Sequence, residues 1–458
     1  MVNATRTLAR YVAESRFENL PPHVVAHAKL VIRDSIGCLL GGSTLTAGKT
    51  LANTMSTMAA DGPSTAVGVS RNITAPLASY INSQLTNLLD FDDTLEDKAL
   101  GHPGATTIPA ALALGEQIHS SGKEFLLAVV TAYDVYTRVA AASKPTPART
   151  KQVRGLATWQ VLSAATAAAR ILHLDGEATA RTLGLAVLHA PVPATGKFYE
   201  ERPTWALKNN FGWTTLGGVL AALFARDGLP ANHEMLDGQT GFWVMAGSDQ
   251  CAFSLMTQSL GSEYSILDTS FKPYSSCRHT HSTLDALGSV IQATNLRADD
   301  VRAVYAYGDS KIKVFEDYRP RTFIDAEFSL PYIAAMLLLR EPTGYGWFDG
   351  ERWNDPSVQR LADRIHLEID PEIEAQRGKG GVGARVSVEF SNGRVEQAGV
   401  VYGRGHPENP LPTEELEAKF LALAERAIGH SRAKELNILL SQLEELTDIS
   451  DVTAYLVG

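Results

Sequence analysis

Apolar residues recur at three- and four-residue spacing through most of the first 260 positions, the mark of helices that bury one stripe. The pattern predicts helices over 3–14, 22–40, 46–60, 76–89, 105–119, 122–142, 157–172, 176–190 and 206–227. In the second of these, Val24, Ala28, Val31, Ile32, Ile36 and Leu39 form the stripe, Pro21-Pro22 opens it and Gly41-Gly42 ends it. Residues 64–70 read as a short extended piece. The period changes near residue 265. Positions 301–307 alternate as a strand, 384–390 do so more strongly, and Asn392-Gly393 turns the latter into 394–402 as a hairpin. Helices are predicted among these at 281–296, 326–340 and 355–364, and again at 413–428 and 432–446. No fixed repeat is present, which disfavours a solenoid. The expected fold is mainly α: a large all-helical domain from residues 1–265 and 403–458, with a smaller α+β domain of antiparallel strands inserted at 266–402.

Length, 458 residues, allows two or three domains, and 45% hydrophobic with 20% charged residues is ordinary for a globular chain. A formal charge of −10 argues against nucleic acid or an anionic membrane as partner, and an anionic substrate would need local cations. The three cysteines, Cys38, Cys251 and Cys277, are odd in number and far apart, so a reducing compartment fits better than a disulfide framework. The first ten residues lack a signal-peptide pattern, and no apolar run approaches the roughly 18 residues that span a bilayer. Cytoplasmic location is expected.

Chemistry concentrates in two stretches. Asp90-Phe91-Asp92-Asp93-Thr94 ends the helix over 76–89 and leads to Gly101-His102-Pro103-Gly104. If the helix reaches them, Asp90 and Thr94 share a face, with Asp93 beside Asp90. Crowded carboxylates raise at least one proton affinity, as a base working near neutrality needs. A solvated helix end is the plain alternative, and burial decides between them. His102, framed by glycine and proline, is a candidate proton donor. The second stretch runs from Phe271 to His281 and supplies Lys272, Tyr274, Cys277, Arg278, His279 and His281. These cations suit carboxylate binding, and Asp285, four residues on, could orient His281. The Cys277-x-His279-x-His281 spacing does not match zinc patterns, and Cys277 reads as a core thiol before a nucleophile. The glycine-rich loop 378–383 lacks a phosphate-loop ending and reads as a linker.

Taken together, Asp90 to Thr94 with His102-Pro103, then Lys272-Pro273-Tyr274-x-x-Cys277-Arg278-x-Thr280-His281, resemble the MmgE/PrpD family. Ala326-x-Phe328-Ser329-Leu330-Pro331-Tyr332 and Pro407-Glu408-Asn409-Pro410-Leu411 extend the resemblance over nearly the whole chain. It implies a helical domain with an α+β lid, a homodimer, no cofactor, no metal, and proton transfer beside a carboxylate of a di- or tricarboxylic acid. Members dehydrate 2-methylcitrate, decarboxylate cis-aconitate or epimerise iminodisuccinate. By motif, the resemblance makes Asp90 the active-site aspartate, Thr94 its hydroxyl neighbour, His102 a candidate acid with His281 second, and Lys208 a family lysine. Lys272 and Arg278 would hold substrate carboxylates, with Arg154, Cys277 and Tyr274 also lining the site, and Asp92 is expected to be structural. Two departures stand out: Cys277 replaces a histidine of the decarboxylases, and 153–159 contains no histidine where many members have one, although Arg154 resembles the dehydratase-like branch. The expectation is a cofactor-independent dehydratase of a 2-methylcitrate-like acid. An epimerase, a decarboxylase and a non-catalytic carboxylate binder follow in that order.

Overall fold

The computed structural model describes residues 3–154, 156–195, 209–376 and 383–457, with the side chains of residues 154, 156 and 157 outside that description. The chain is mainly α, about 58% helical with one small four-stranded sheet. Nine helices named here build the first part: α1 (Ala4–Glu14), α2 (Pro22–Ser43), α3 (Thr46–Ser56), α4 (Ala75–Asn87), α5 (Gly104–Ile118), α6 (Gly122–Ala142), α7 (Leu156–Ile171), α8 (Gly176–Ala186) and α9 (Phe211–Arg226). Most begin and end within a few residues of the expected positions, because local chemistry sets their ends. Ser121 caps α6 by accepting from the Glu124 amide, Pro22 sits in the first turn of α2, and left-handed His119 stops α5. Helix α6 is long and apolar enough to cross a membrane by composition alone, which the sequence reading denied to any segment; 94% of its most apolar window is buried inside the protein, as for a core helix.

Helices α6, α7 and α9 stack at the centre, with α4, α5 and α8 around them. Late in the sequence α13 (Thr413–Ile428) and α14 (His430–Ser441) return, and α13 lies along α2. Phe420 fits so closely against Gly37 of α2 that a Cβ there would stand 3.2 Å from its ring.

A second apolar core lies within residues 274–390. Its sheet is built from β1 (Val301–Gly308), β2 (Ile365–Ile369), β3 (Ala384–Phe390) and β4 (Val395–Val400), in the order β2-β1-β3-β4. Between them, α10 (His281–Thr294), which packs on the β3–β4 hairpin, α11 (Leu330–Leu338) and α12 (Pro356–Ala362) fill the apolar side. The hairpin turns at Asn392-Gly393, as expected, with Gly393 at φ 85°. Two expectations need correction. Pairing is not wholly antiparallel, because β2 runs parallel to β1 at the sheet edge; its Ile-His-Leu-Glu-Ile alternation is a strand pattern only five residues long. The helix expected over 326–340 is broken, since Phe328 leaves helical geometry and Ser329 caps a new start at Leu330. Phe91 joins the two parts, packing with Leu88, Leu89, Cys38 and Leu423 on one side and near Phe323 and Tyr345 on the other.

Candidate active site

Helix α4 stops at Asn87 and does not carry the acidic cluster. Asp90 takes a left-handed turn, φ 47°, a conformation that aspartate tolerates better than most residues. The helical face expected for Asp90 and Thr94 is therefore absent. Instead the chain runs on as a bridge in which the Thr94 amide donates to the Ser270 carbonyl (2.9 Å) and the Ser270 amide returns a bond to Thr94 (2.8 Å). This bridge joins the two stretches that the sequence singled out, and Lys272 follows two residues later.

Burial decides the nature of the cluster. Asp90, Asp92, Asp93 and Thr94 are all at most 5% exposed, so a solvated helix end is excluded. Lys272, fully buried, donates to Asp90 Oδ1 at 2.6 Å and to the Asp90 carbonyl at 2.9 Å. Burial pulls the ammonium's proton affinity down, but Asp90 and Asp92 outweigh it and hold the pKa above the ordinary lysine value. Asp92, expected to be structural, is held between Asn87 and His102: Asn87 Nδ2 donates to both its oxygens, and Oδ2 is 3.3 Å from His102 Nδ1. Thr94 Oγ1 donates to the Gly101 carbonyl at 3.0 Å.

His102 is held from both sides. Gln160 accepts from its amide at 2.9 Å and donates to its carbonyl at 2.7 Å, a bidentate clamp from α7. Its Nδ1 faces two acceptors, the Asp93 carbonyl at 3.0 Å and Asp92, so Nδ1 carries the hydrogen and Nε2 is the atom left for proton exchange. Ligand atoms of Asp90, Asp92 and His102 lie within 4.8 Å of one another, a set that could hold a cation by donor type. The Lys272 ammonium already supplies the positive charge at Asp90.

The carboxyl with the raised proton affinity is Asp93. Burial, then the adjacent Asp92 charge, push its pKa to about 8, although Tyr133 donates to it at 2.7 Å. Gly104 permits this arrangement, since a Cβ there would stand 2.1 Å from Asp93 Oδ1. Between the ordinary value of 3.8 and about 8 the folded chain binds a proton at Asp93 that the unfolded chain does not. The resulting stability is complete below the ordinary value and is lost as pH rises through about 8. Denaturant midpoints measured between about pH 5 and 8 should therefore fall more steeply for the wild type than for Asp93→Asn; parallel slopes would refute the assignment.

Most of the other side chains of the second stretch bond to protein groups. Arg278 donates from Nε to Glu96 (2.6 Å), from Nη1 to the Arg404 carbonyl (2.7 Å) and from Nη2 to the Gly403 carbonyl (3.0 Å), so its fork grips the protein where a substrate carboxylate was expected. His281 is fully buried, with Nδ1 3.1 Å from Arg278 Nη1 and Nε2 3.2 Å from the Ser276 carbonyl. Burial and the Arg278 charge hold its pKa well below the ordinary value, which fixes a neutral ring and argues against its role as an acid. Asp285 does not orient it, as had been expected; that carboxylate accepts from Tyr274 at 2.8 Å and from the Arg404 amide at 2.6 Å. Tyr274 stacks on Trp347, and His279 turns to Lys311 at 3.2 Å, so His279 and His281 do not converge on one centre. Cys277 is half-buried. Lys208, the Arg154 side chain and most of loop 378–383 lie outside the described residues.

Asn87, Tyr133 and Gln160 were not singled out from the sequence, nor was a buried charge pair beside them. Asp34 of α2 lies 2.6 Å from Lys419 of α13, which donates to the Phe91 carbonyl at 2.6 Å and stands 4.0 Å over the Phe91 ring. As single charges on amphipathic helices they resemble any solvated face.

The family model for the MmgE/PrpD N-terminal domain matches residues 6–253, and that for the C-terminal domain matches 274–445. Among curated proteins, the cis-aconitate decarboxylase of Homo sapiens is 26% identical over 99% of this chain and 94% of its own length. That of Mus musculus is 27% identical over 83% and 78%, and one of Aspergillus terreus 22% over 97% and 94%.

Proposed function

The chain belongs to the MmgE/PrpD family, and from that premise we propose that it is a lyase for a di- or tricarboxylic acid, a dehydratase of a 2-methylcitrate-like substrate. One observation carries the proposal: a dry carboxylate–ammonium pair, Asp90 with Lys272, within a few ångströms of a histidine whose tautomer is fixed. Asp90 takes the proton beside a substrate carboxylate. Once it is protonated, its hold on Lys272 weakens and the ammonium turns its charge to the enediolate, the kind of preorganised stabilisation that dominates such reactions. His102, entering the step doubly protonated with its Nδ1–H on the Asp93 carbonyl and beside Asp92, delivers the Nε2 proton to the departing hydroxyl, which leaves as water. Thr94 and the Gln160 clamp keep these groups in register. Gln160→Leu should lower kcat by about ten- to a hundredfold with KM little changed, as the aim of His102 is lost, and should cost about 1–3 kcal/mol of stability, as the His102 amide and carbonyl lose their buried partner; an unchanged kcat would remove the clamp from the mechanism.

The named relatives favour a second reaction on the same groups, decarboxylation, in which protonation of the carbanion follows loss of carbon dioxide. Against it stands Cys277, where the decarboxylases of the family carry a histidine. A panel of di- and tricarboxylates in deuterated water separates the outcomes. Loss or addition of water supports the dehydratase, release of carbon dioxide from cis-aconitate supports the second reaction, and α-deuterium with an unchanged formula indicates an epimerase. A ligand that raises the melting temperature and is never converted would replace all three with a binding role.

A further inference from the structure

We infer that Lys419 is a positioning residue for the acid cluster, the member of a three-donor clamp that comes from the far end of the sequence. The left-handed turn at Asp90 takes its neighbours' carbonyls out of any helix or sheet ladder, and buried carbonyls must find donors elsewhere. Three consecutive ones do so with side chains distant in sequence. Ser275 donates to the Leu89 carbonyl, Lys272 to that of Asp90 and Lys419 to that of Phe91. The Phe91 carbonyl stands between the two carboxylate-bearing residues Asp90 and Asp92, so fixing it fixes their separation. Lys419 cannot drift, because its side chain is 7% exposed, Asp34 holds it at 2.6 Å and the Phe91 ring lies beneath it. Lys419 thus pairs with Asp34 inside the protein and at the same time donates to the Phe91 carbonyl. Lys272 is itself part of the proposed chemistry, whereas Lys419 meets the cluster only through the backbone.

The catalytic part of the test rests on the functional reading above; the structural part does not. Lys419→Met alone would leave Asp34 buried without its cation, so it is combined with Asp34→Asn, which removes both charges. The double variant should fold and lose about a hundredfold in kcat with KM nearly unchanged. Its amides over 88–95 should exchange faster by mass spectrometry, and its kcat/KM pH profile should move as the spacing of Asp90 and Asp92 relaxes. Lys419→Arg, which keeps the cation and a donor, should recover most of the activity and the slow exchange. Wild-type kcat, pH profile and exchange in the double variant would overturn the proposal. So would a double variant that fails to fold, since the pair would then be a requirement of the fold. If the wild type converts no acid in the panel, the functional reading falls, while the exchange comparison still decides the clamp.

Discussion

Lys272→Met is expected to abolish turnover and to lower stability by about 3–5 kcal/mol, the usual cost of removing one partner from a buried ion pair. Methionine fills nearly the same space, so the loss is electrostatic. Asp90, with its side chain 4% exposed, would lose the Lys272 ammonium, and the Asp90 carbonyl would lose its donor at 2.9 Å. Neither group can turn to solvent, because the left-handed turn and the Thr94–Ser270 bridge hold the segment from both sides. Urea unfolding of the variant checks the first half and a turnover assay the second. A variant as stable as the wild type would mean that Asp90 is neutral in the folded state, and the ion pair would have to be abandoned.

Asp90→Asn separates charge from shape. The amide can still accept from Lys272 but cannot take a proton, so kcat should fall by about 10²–10⁴-fold, the range for removing a general base. KM should change little if the substrate is bound chiefly by other groups. Full turnover by Asp90→Asn on the true substrate would eliminate Asp90 as the base and move attention to Asp92, which shares the site with His102.

Much of the fold was legible because its helices are long and their apolar stripes continuous. In α6 the pattern persists over 21 residues and both ends were placed as observed. Strand β2 was missed because five alternating residues carry too little periodic signal, and the break at Phe328 because a Leu/Ala-rich run masks a serine cap. At the site, Asp90, Thr94, His102 and Lys272 were legible as residue types in two stretches, and the Thr94–Ser270 bridge brings those stretches together. Local pattern could not show the turn at Asp90, where no glycine or asparagine announces a positive φ, so the helix was carried too far. Nor could it show that Arg278 and His281 spend their donors on carbonyls and Glu96, or that Asp93 is the carboxyl with the raised proton affinity. Those outcomes depend on which distant groups arrive, and Asp34 with Lys419 is the extreme case.

The pairing of α2 with α13 has a consequence in time. Phe91 and Lys419 are 328 positions apart, so during synthesis the acid segment emerges long before the residue that grips its backbone. At about 5–20 residues per second that interval lasts from tens of seconds to a minute. Over it Asp34, Asp90, Asp92 and Asp93 must stay hydrated or protonated, and the helices around them cannot close into a dry core. Contacts of such range also make for slow folding. A nascent chain halted before α13 should therefore remain open, chaperone-accessible and inert, and the finished protein should gain its core and its chemistry in one late step.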